Sequence, residues 1–210
     1  MNEALKLRCF FKGLSIMLTH NNLIDAKKRI FMLLCAGRNE TLKGAMPIGV
    51  GLIESAINLT RMCLKNPHAS LIFIGSAGSY SPEIELLSVF ESVCGYQVEE
   101  SFSHLKSYTP LDNFIQMETE EEALFKRVCV NSSNYIHTSE IFAKKMAQKG
   151  VLLENMEFFS VLSVARAFSL KAKGIFCVSN HAGLNAHKEF KENHAKVKQI
   201  LENTIDSLIL

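Results

Sequence analysis

Residues 71–78 read LIFIGSAG: an apolar run, Leu71-Ile72-Phe73-Ile74, passes directly into the small residues Gly75-Ser76-Ala77-Gly78. A short run that is apolar at every position and stops at small residues is the pattern of a strand buried in a covered parallel sheet. Outward from it the same pattern recurs. Residues 30–35 (IFMLLC) end at Ala36-Gly37. Residues 46–50 run into Gly49-Val50-Gly51 and then a helical pattern with Ile53, Ala56, Ile57, Thr60 and Cys63 on one face. Asn66-Pro67 closes that helix. Further strands are expected at 127–131 (RVCVN), 151–153 and 174–179 (GIFCVS), and further helices at 140–148, from 158 through 170, and at 187–210. Residues 88–98 fit a strand or a helix, and 102–122 read as a long polar loop with an acidic end. Strand–loop–helix alternation of this kind predicts an α/β fold in a single domain, with a largely parallel mixed central sheet flanked by helices.

Composition narrows the function classes. The 210 residues are 48% hydrophobic and 21% charged, so a sizeable core is available and disorder is excluded as the dominant state. With 23 Lys+Arg against 21 Asp+Glu the net charge is +2, which leaves no electrostatic footprint for nucleic acid. No apolar run approaches the roughly 20 residues of a membrane-spanning helix. The organised domain is expected over 29–210. Residues 1–28 read as an N-terminal extension of unknown role, with Lys6, Arg8 and Lys12 breaking what a secretory signal would need, and Met17 as an alternative start.

Cys35, Cys129 and Cys177 sit in apolar runs, Cys63 lies on a helix face, and no two of the six cysteines have CxxC spacing. They are therefore expected as buried thiols in a reducing cytoplasm, with no metal cluster.

In open α/β sheets ligands bind beyond the carboxyl ends of the strands. Here those ends carry Arg38-Asn39-Glu40, Gly75-Ser76-Ala77-Gly78, Asn131 to Tyr135, Glu154-Asn155-Met156-Glu157 and Ser179-Asn180-His181. Nearly all are small or polar. No GxSxG elbow, HExxH, P-loop or GxGxxG is present.

The ordered set Gly49-Val50-Gly51, Gly75-Ser76-Ala77-Gly78, Asn155-Met156-Glu157 and Ser179-Asn180-His181 resembles the nucleoside phosphorylase and nucleosidase superfamily, and most of all its small bacterial purine nucleoside phosphorylases. The resemblance covers residues 30–195. It implies that Glu157 accepts from ribose hydroxyls with Met156 against the sugar, that Gly75 and Ser76 bind phosphate, and that Tyr135 and Ile136 wall the base. It further implies no cofactor beyond phosphate as co-substrate, and a homo-oligomer, either a dimer or a hexamer.

Two departures from the family pattern qualify this. Asn180 stands where many members place an Asp that protonates the departing base. An amide cannot transfer that proton but can donate hydrogen bonds to N7 and O6 of a 6-oxopurine, which implies a preference for inosine or guanosine. Phe73 stands where many phosphorylases carry a phosphate-binding Arg. Arg38 would then supply the missing cation for phosphorolysis, whereas Glu40 would orient an attacking water for hydrolysis. The expectation is a phosphorylase of purine nucleosides, with a hydrolytic nucleosidase or a non-catalytic nucleoside-binding protein as alternatives.

Overall fold

The computed structural model describes residues 23–26, 29–67, 69–101 and 108–209. Most of the N-terminal extension, Cys9 within it, and residues 102–107 of the polar loop lie outside the described residues.

In the described residues ten strands form one mixed sheet: β1 (Leu23–Ala26), β2 (Arg29–Cys35), β3 (Met46–Pro47), β4 (Ser70–Ser79), β5 (Val89–Ser92), β6 (Cys94–Tyr96), β7 (Phe114–Gln116), β8 (Cys129–Asn131), β9 (Val151–Glu154) and β10 (Ala172–His181). Among the described residues four helices flank it: α1 (Leu52–Lys65), α2 (Glu140–Gln148), α3 (Phe158–Ala167) and α4 (Ala186–Ile209). The expected single-domain α/β architecture is the one observed. β1 pairs antiparallel with β2, so the sheet already includes part of the N-terminal extension.

The long apolar strands are apolar throughout because both faces are covered. Met32 and Leu34 of β2, Leu71 and Phe73 of β4, and Phe176 and Val178 of β10 enter the core shared with α1 and α3. Their neighbours Leu33, Cys35, Ile72, Ile74, Ile175 and Cys177 point the other way, onto Val197, Leu201 and Ile205 of α4. The period-2 alternation of a strand is thus filled with apolar residues at every position.

Three local expectations are corrected. The strand expected at 71–74 continues through the small residues to Ser79, because β10 pairs with it in parallel from Leu71 to Ser79 and that ladder overrides the local turn signal. The stretch expected as a polar loop contains the short strand β7, and of the two readings open for 88–98 the strand is the one observed, as β5 and β6.

The third correction concerns the cysteines. Cys94 and Cys129 are joined by a disulfide, their Cα atoms 5.2 Å apart, while Cys35, Cys63 and Cys177 are free and buried. β6 and β8 are parallel neighbours with Gly95 opposite Val130, which sets the two thiols side by side although 35 positions separate them in sequence. Closing a loop of that length restricts the unfolded chain. Reducing this bond is expected to lower the unfolding free energy by about 2–4 kcal/mol. Urea unfolding with and without reductant measures the difference, and coincident curves would contradict it.

The sheet also creates the site. One edge of β4 is fully taken by β10. On the other edge, β2 pairs with Ser70 to Phe73 and β9 pairs with Gly78 and Ser79, so among the described residues no strand lies beside 74–77 there. The chain parts at that point, and backbone groups of β4 are left for side chains or a ligand.

Candidate active site

A cleft of about 270 Å³ opens at this parting. Its wall contains Arg38, Glu40, Ser76, Tyr135, Ile136, Met156, Glu157 and Asn180, all anticipated from sequence. Gly75 stands behind Ser76 and is not part of the wall.

Glu40 is brought back to the sheet by a tight turn. Gly37 (φ 97°) and Arg38 (φ 53°) are both left-handed, and the Glu40 N–H donates to the Gly37 carbonyl at 2.9 Å. The same turn throws Arg38 outward. Its side chain is 70% exposed and pairs with Glu54 at 3.2 Å. Glu40 instead accepts from both polar groups of Ser76, the hydroxyl at Oε1 and the backbone N–H at Oε2 (3.5 Å). The Ser76 carbonyl accepts from Asn155 Nδ2 at 3.1 Å. The unladdered stretch of β4 is thus held by two side chains.

Asn155 also places Glu157. Its Oδ1 accepts from the N–H groups of Glu157 and Phe158, both at 2.9 Å, and so caps the start of α3. The Glu157 carboxyl is buried and accepts from the Gly51 N–H at 2.9 Å. Gly51 (φ 81°) must be glycine, because a Cβ there would lie 2.8 Å from Asn134 Oδ1, the atom that caps α1 through Leu52. Burial pushes the Glu157 carboxyl up to about 7; the Gly51 hydrogen bond opposes the shift and the nearby Glu40 charge adds to it.

At the end of β10, Ser179 donates to Asn180 Oδ1 at 2.7 Å, which leaves the Asn180 NH₂ as the group offered to a ligand. Its Nδ2 lies 3.3 Å from the His181 carbonyl. Tyr135 and Ile136 stand at the mouth, 74% and 53% exposed. His181 and His194 donate from Nε2 to the Ile84 and Asn39 carbonyls, a structural use of both rings. Phe73 is fully buried against Phe158 and Phe176 and points away from the cleft.

Sequence reasoning assigned no role to four wall residues, Asn155, Glu154, His187 and Phe190. Asn155 is the positioning residue just described. Glu154 lines the cleft and is paired with buried His137, and His187 and Phe190 reach the wall from α4. The Glu154 position adjoining Met156-Glu157 was a usable signal; the His137 partner had none. Among the described residues Arg38 is the sole Lys or Arg in the wall, against the carboxyls of Glu40, Glu154 and Glu157. The arrangement suits a ligand rich in hydroxyl donors. Among the described residues no group of three His, Cys, Asp or Glu is placed to hold a metal, and no helix is long and apolar enough to cross a membrane.

Residues 26–210 match the model of the phosphorylase superfamily. The chain belongs to that superfamily. No curated protein matches it. Among solved structures, superfamily folds similar to it include a futalosine hydrolase mutant of Helicobacter pylori, 18% identical, with a TM-score of 0.71 over 85% of this chain and 97% of that one. An H. pylori 5'-methylthioadenosine/S-adenosylhomocysteine nucleosidase mutant holding 5'-methylthioadenosine gives the same identity, coverage and score. The corresponding nucleosidase from S. pneumoniae with a transition-state inhibitor is 14% identical, with a TM-score of 0.68 over 85% of this chain and 97% of that one.

Proposed function

We propose that this superfamily member hydrolyses the N-glycosidic bond of purine ribonucleosides, with water and not phosphate as the nucleophile. The observation that carries this is the Glu40–Ser76 pair. The Ser76 hydroxyl and N–H are the donors an incoming phosphate would use, and a carboxylate already holds them. A phosphate dianion would also meet Glu157, while Arg38 is turned out to Glu54. The similarity in fold to nucleosidases and a futalosine hydrolase supports the same choice. Phosphorolysis is the competing reading, and Arg38 is the residue it would have to recruit.

In this reading the ribose lies over Met156, with its hydroxyls donating to the Glu157 carboxylate. As the bond from C1′ to the base breaks, its electron pair leaves with the base, and the nearby carboxylates stabilise the positive charge on the sugar. Water adds to C1′ and gives its proton to Glu40. The base lies between Tyr135 and Ile136, with the Asn180 NH₂ donating to its edge. Two acceptors on one edge, N7 and O6, suit that amide better than the acceptor–donor pair of adenine.

Chromatography of the base released from inosine and adenosine, with and without phosphate, tests this. Free ribose is expected at a rate indifferent to phosphate, with inosine cleaved faster. Release that requires phosphate and yields ribose 1-phosphate would overturn it.

A further inference from the structure

Asn180 cannot give a proton to the departing base, yet a purine anion is a poor leaving group. Glu154 lines the cleft beside Asn180. A Cβ placed on Gly78 would lie 2.9 Å from Glu154 Oε1 and 3.1 Å from Asn180 Nδ2, so one small group above Gly78 touches both. The register sets this up: Glu154 of β9 and Asn180 of β10 both lie opposite Gly78 of β4.

Behind the cleft, Glu154 Oε2 is engaged by His137 Nδ1. The ring of His137 is 2% exposed, stacks on Phe142 with centroids 4.5 Å apart, and has the Tyr80 hydroxyl 3.2 Å from Nδ1. That hydroxyl in turn accepts from Asn131 Nδ2 at 3.0 Å. His137 Nε2 is buried with no partner among the described residues. The ring is therefore held from its Nδ1 side, where it faces Glu154 Oε2. With Oε2 engaged by His137, Oε1 is the oxygen turned toward the cleft, where it lies beside the Asn180 amide.

We propose that Glu154 is the catalytic acid of this site and that His137 is its positioning residue. The proposal rests on the hydrolase reading above and supplies the step that Asn180 cannot. The Glu154 Oε1–H bond breaks and its proton goes to the ring nitrogen of the base, while the C1′–N electron pair becomes that base's lone pair. The remaining Glu154 carboxylate is held by the His137 Nδ1–H. Water adds to C1′ and its proton goes to Glu40. After release, Glu154 regains a proton from solvent and Glu40 loses one, so the net reaction consumes one water. Asn180 fixes the base edge while Glu154 delivers the proton.

The test compares two ribosides in the full-length protein. Inosine has a leaving group that needs a proton, whereas para-nitrophenyl β-riboside departs as a stable anion without one. Glu154→Gln is expected to cut inosine hydrolysis by about 10²–10⁴-fold, the range for loss of a general acid, and to cost at least ~10-fold less on the nitrophenyl riboside. His137→Phe keeps a ring against Phe142 but removes the Nδ1 donor, and should show the same selectivity with a smaller loss. Equal losses on both ribosides in Glu154→Gln would assign Glu154 a structural role and overturn the proposal. Undiminished inosine turnover in that variant would overturn it too, leaving the hydrolase reading intact. A wild-type protein that cleaves neither riboside would remove the hydrolase reading itself.

Discussion

Glu157→Gln is expected to make the protein more stable at pH 8 and about 100-fold or more less active. Both effects come from one buried carboxyl. In the unfolded chain it ionises near the ordinary value of 4.5, whereas in the fold burial raises it to about 7. Between those values the native state holds the proton more tightly, so stability is complete below about 4.5 and falls as pH rises to about 7. At pH 8 the carboxylate costs the fold roughly 3 kcal/mol, from the shift at about 1.4 kcal/mol per pH unit. Gln carries no charge, and its carbonyl can still accept from the Gly51 N–H. The gain should therefore appear at pH 8 and vanish near pH 4.5 in urea unfolding curves; a gain independent of pH would contradict it. The activity loss follows because ribose hydroxyls lose a charged acceptor, worth roughly 1.5–3 kcal/mol per hydrogen bond. Wild-type kcat/KM should likewise fall below about pH 7 as Glu157 takes up its proton.

Glu40→Gln is expected to lower kcat for base release by about 10²–10⁴-fold, the range for losing a general base, with little change in KM. Gln is the informative substitution because its carbonyl can still accept from Ser76, so the unladdered part of β4 stays held. Single-turnover measurements with inosine separate the chemical step from binding. The phosphorylase reading makes the opposite forecast: removing a negative charge beside Ser76 would raise phosphate-dependent turnover. A rise of that kind would return Arg38 and Ser76 to a phosphate site.

Much of this was legible in the chain. The apolar runs at 30–35, 71–74 and 174–179 gave the central strands, because a doubly covered strand announces itself without reference to its neighbours. Glu40, Met156, Glu157 and Asn180 were legible at or just past a strand's carboxyl end, Ser76 proves to lie inside β4, and the sheet gathers all five at one cleft. What escaped depended on pairing across the sheet. The continuation of β4 through Gly75 to Ser79 needs β10 beside it. The Cys94–Cys129 bond needs β6 against β8. The Glu154–His137 pair needs the end of β9 to lie against the segment before α2. No periodicity within a single segment reports such meetings. Asn155 was missed for another reason: it ends one strand and caps the following helix, so it read only as part of a motif.

The stretch of β4 without a strand beside it bears on how such a protein changes over time. The cleft's position is set by where β2 stops and β9 begins, that is, by strand lengths and register. Sequence drift that replaces the side chains around the gap alters what the cleft holds without moving it. The amide at 180 and the carboxylate at 154 are one filling of a seat that topology keeps fixed.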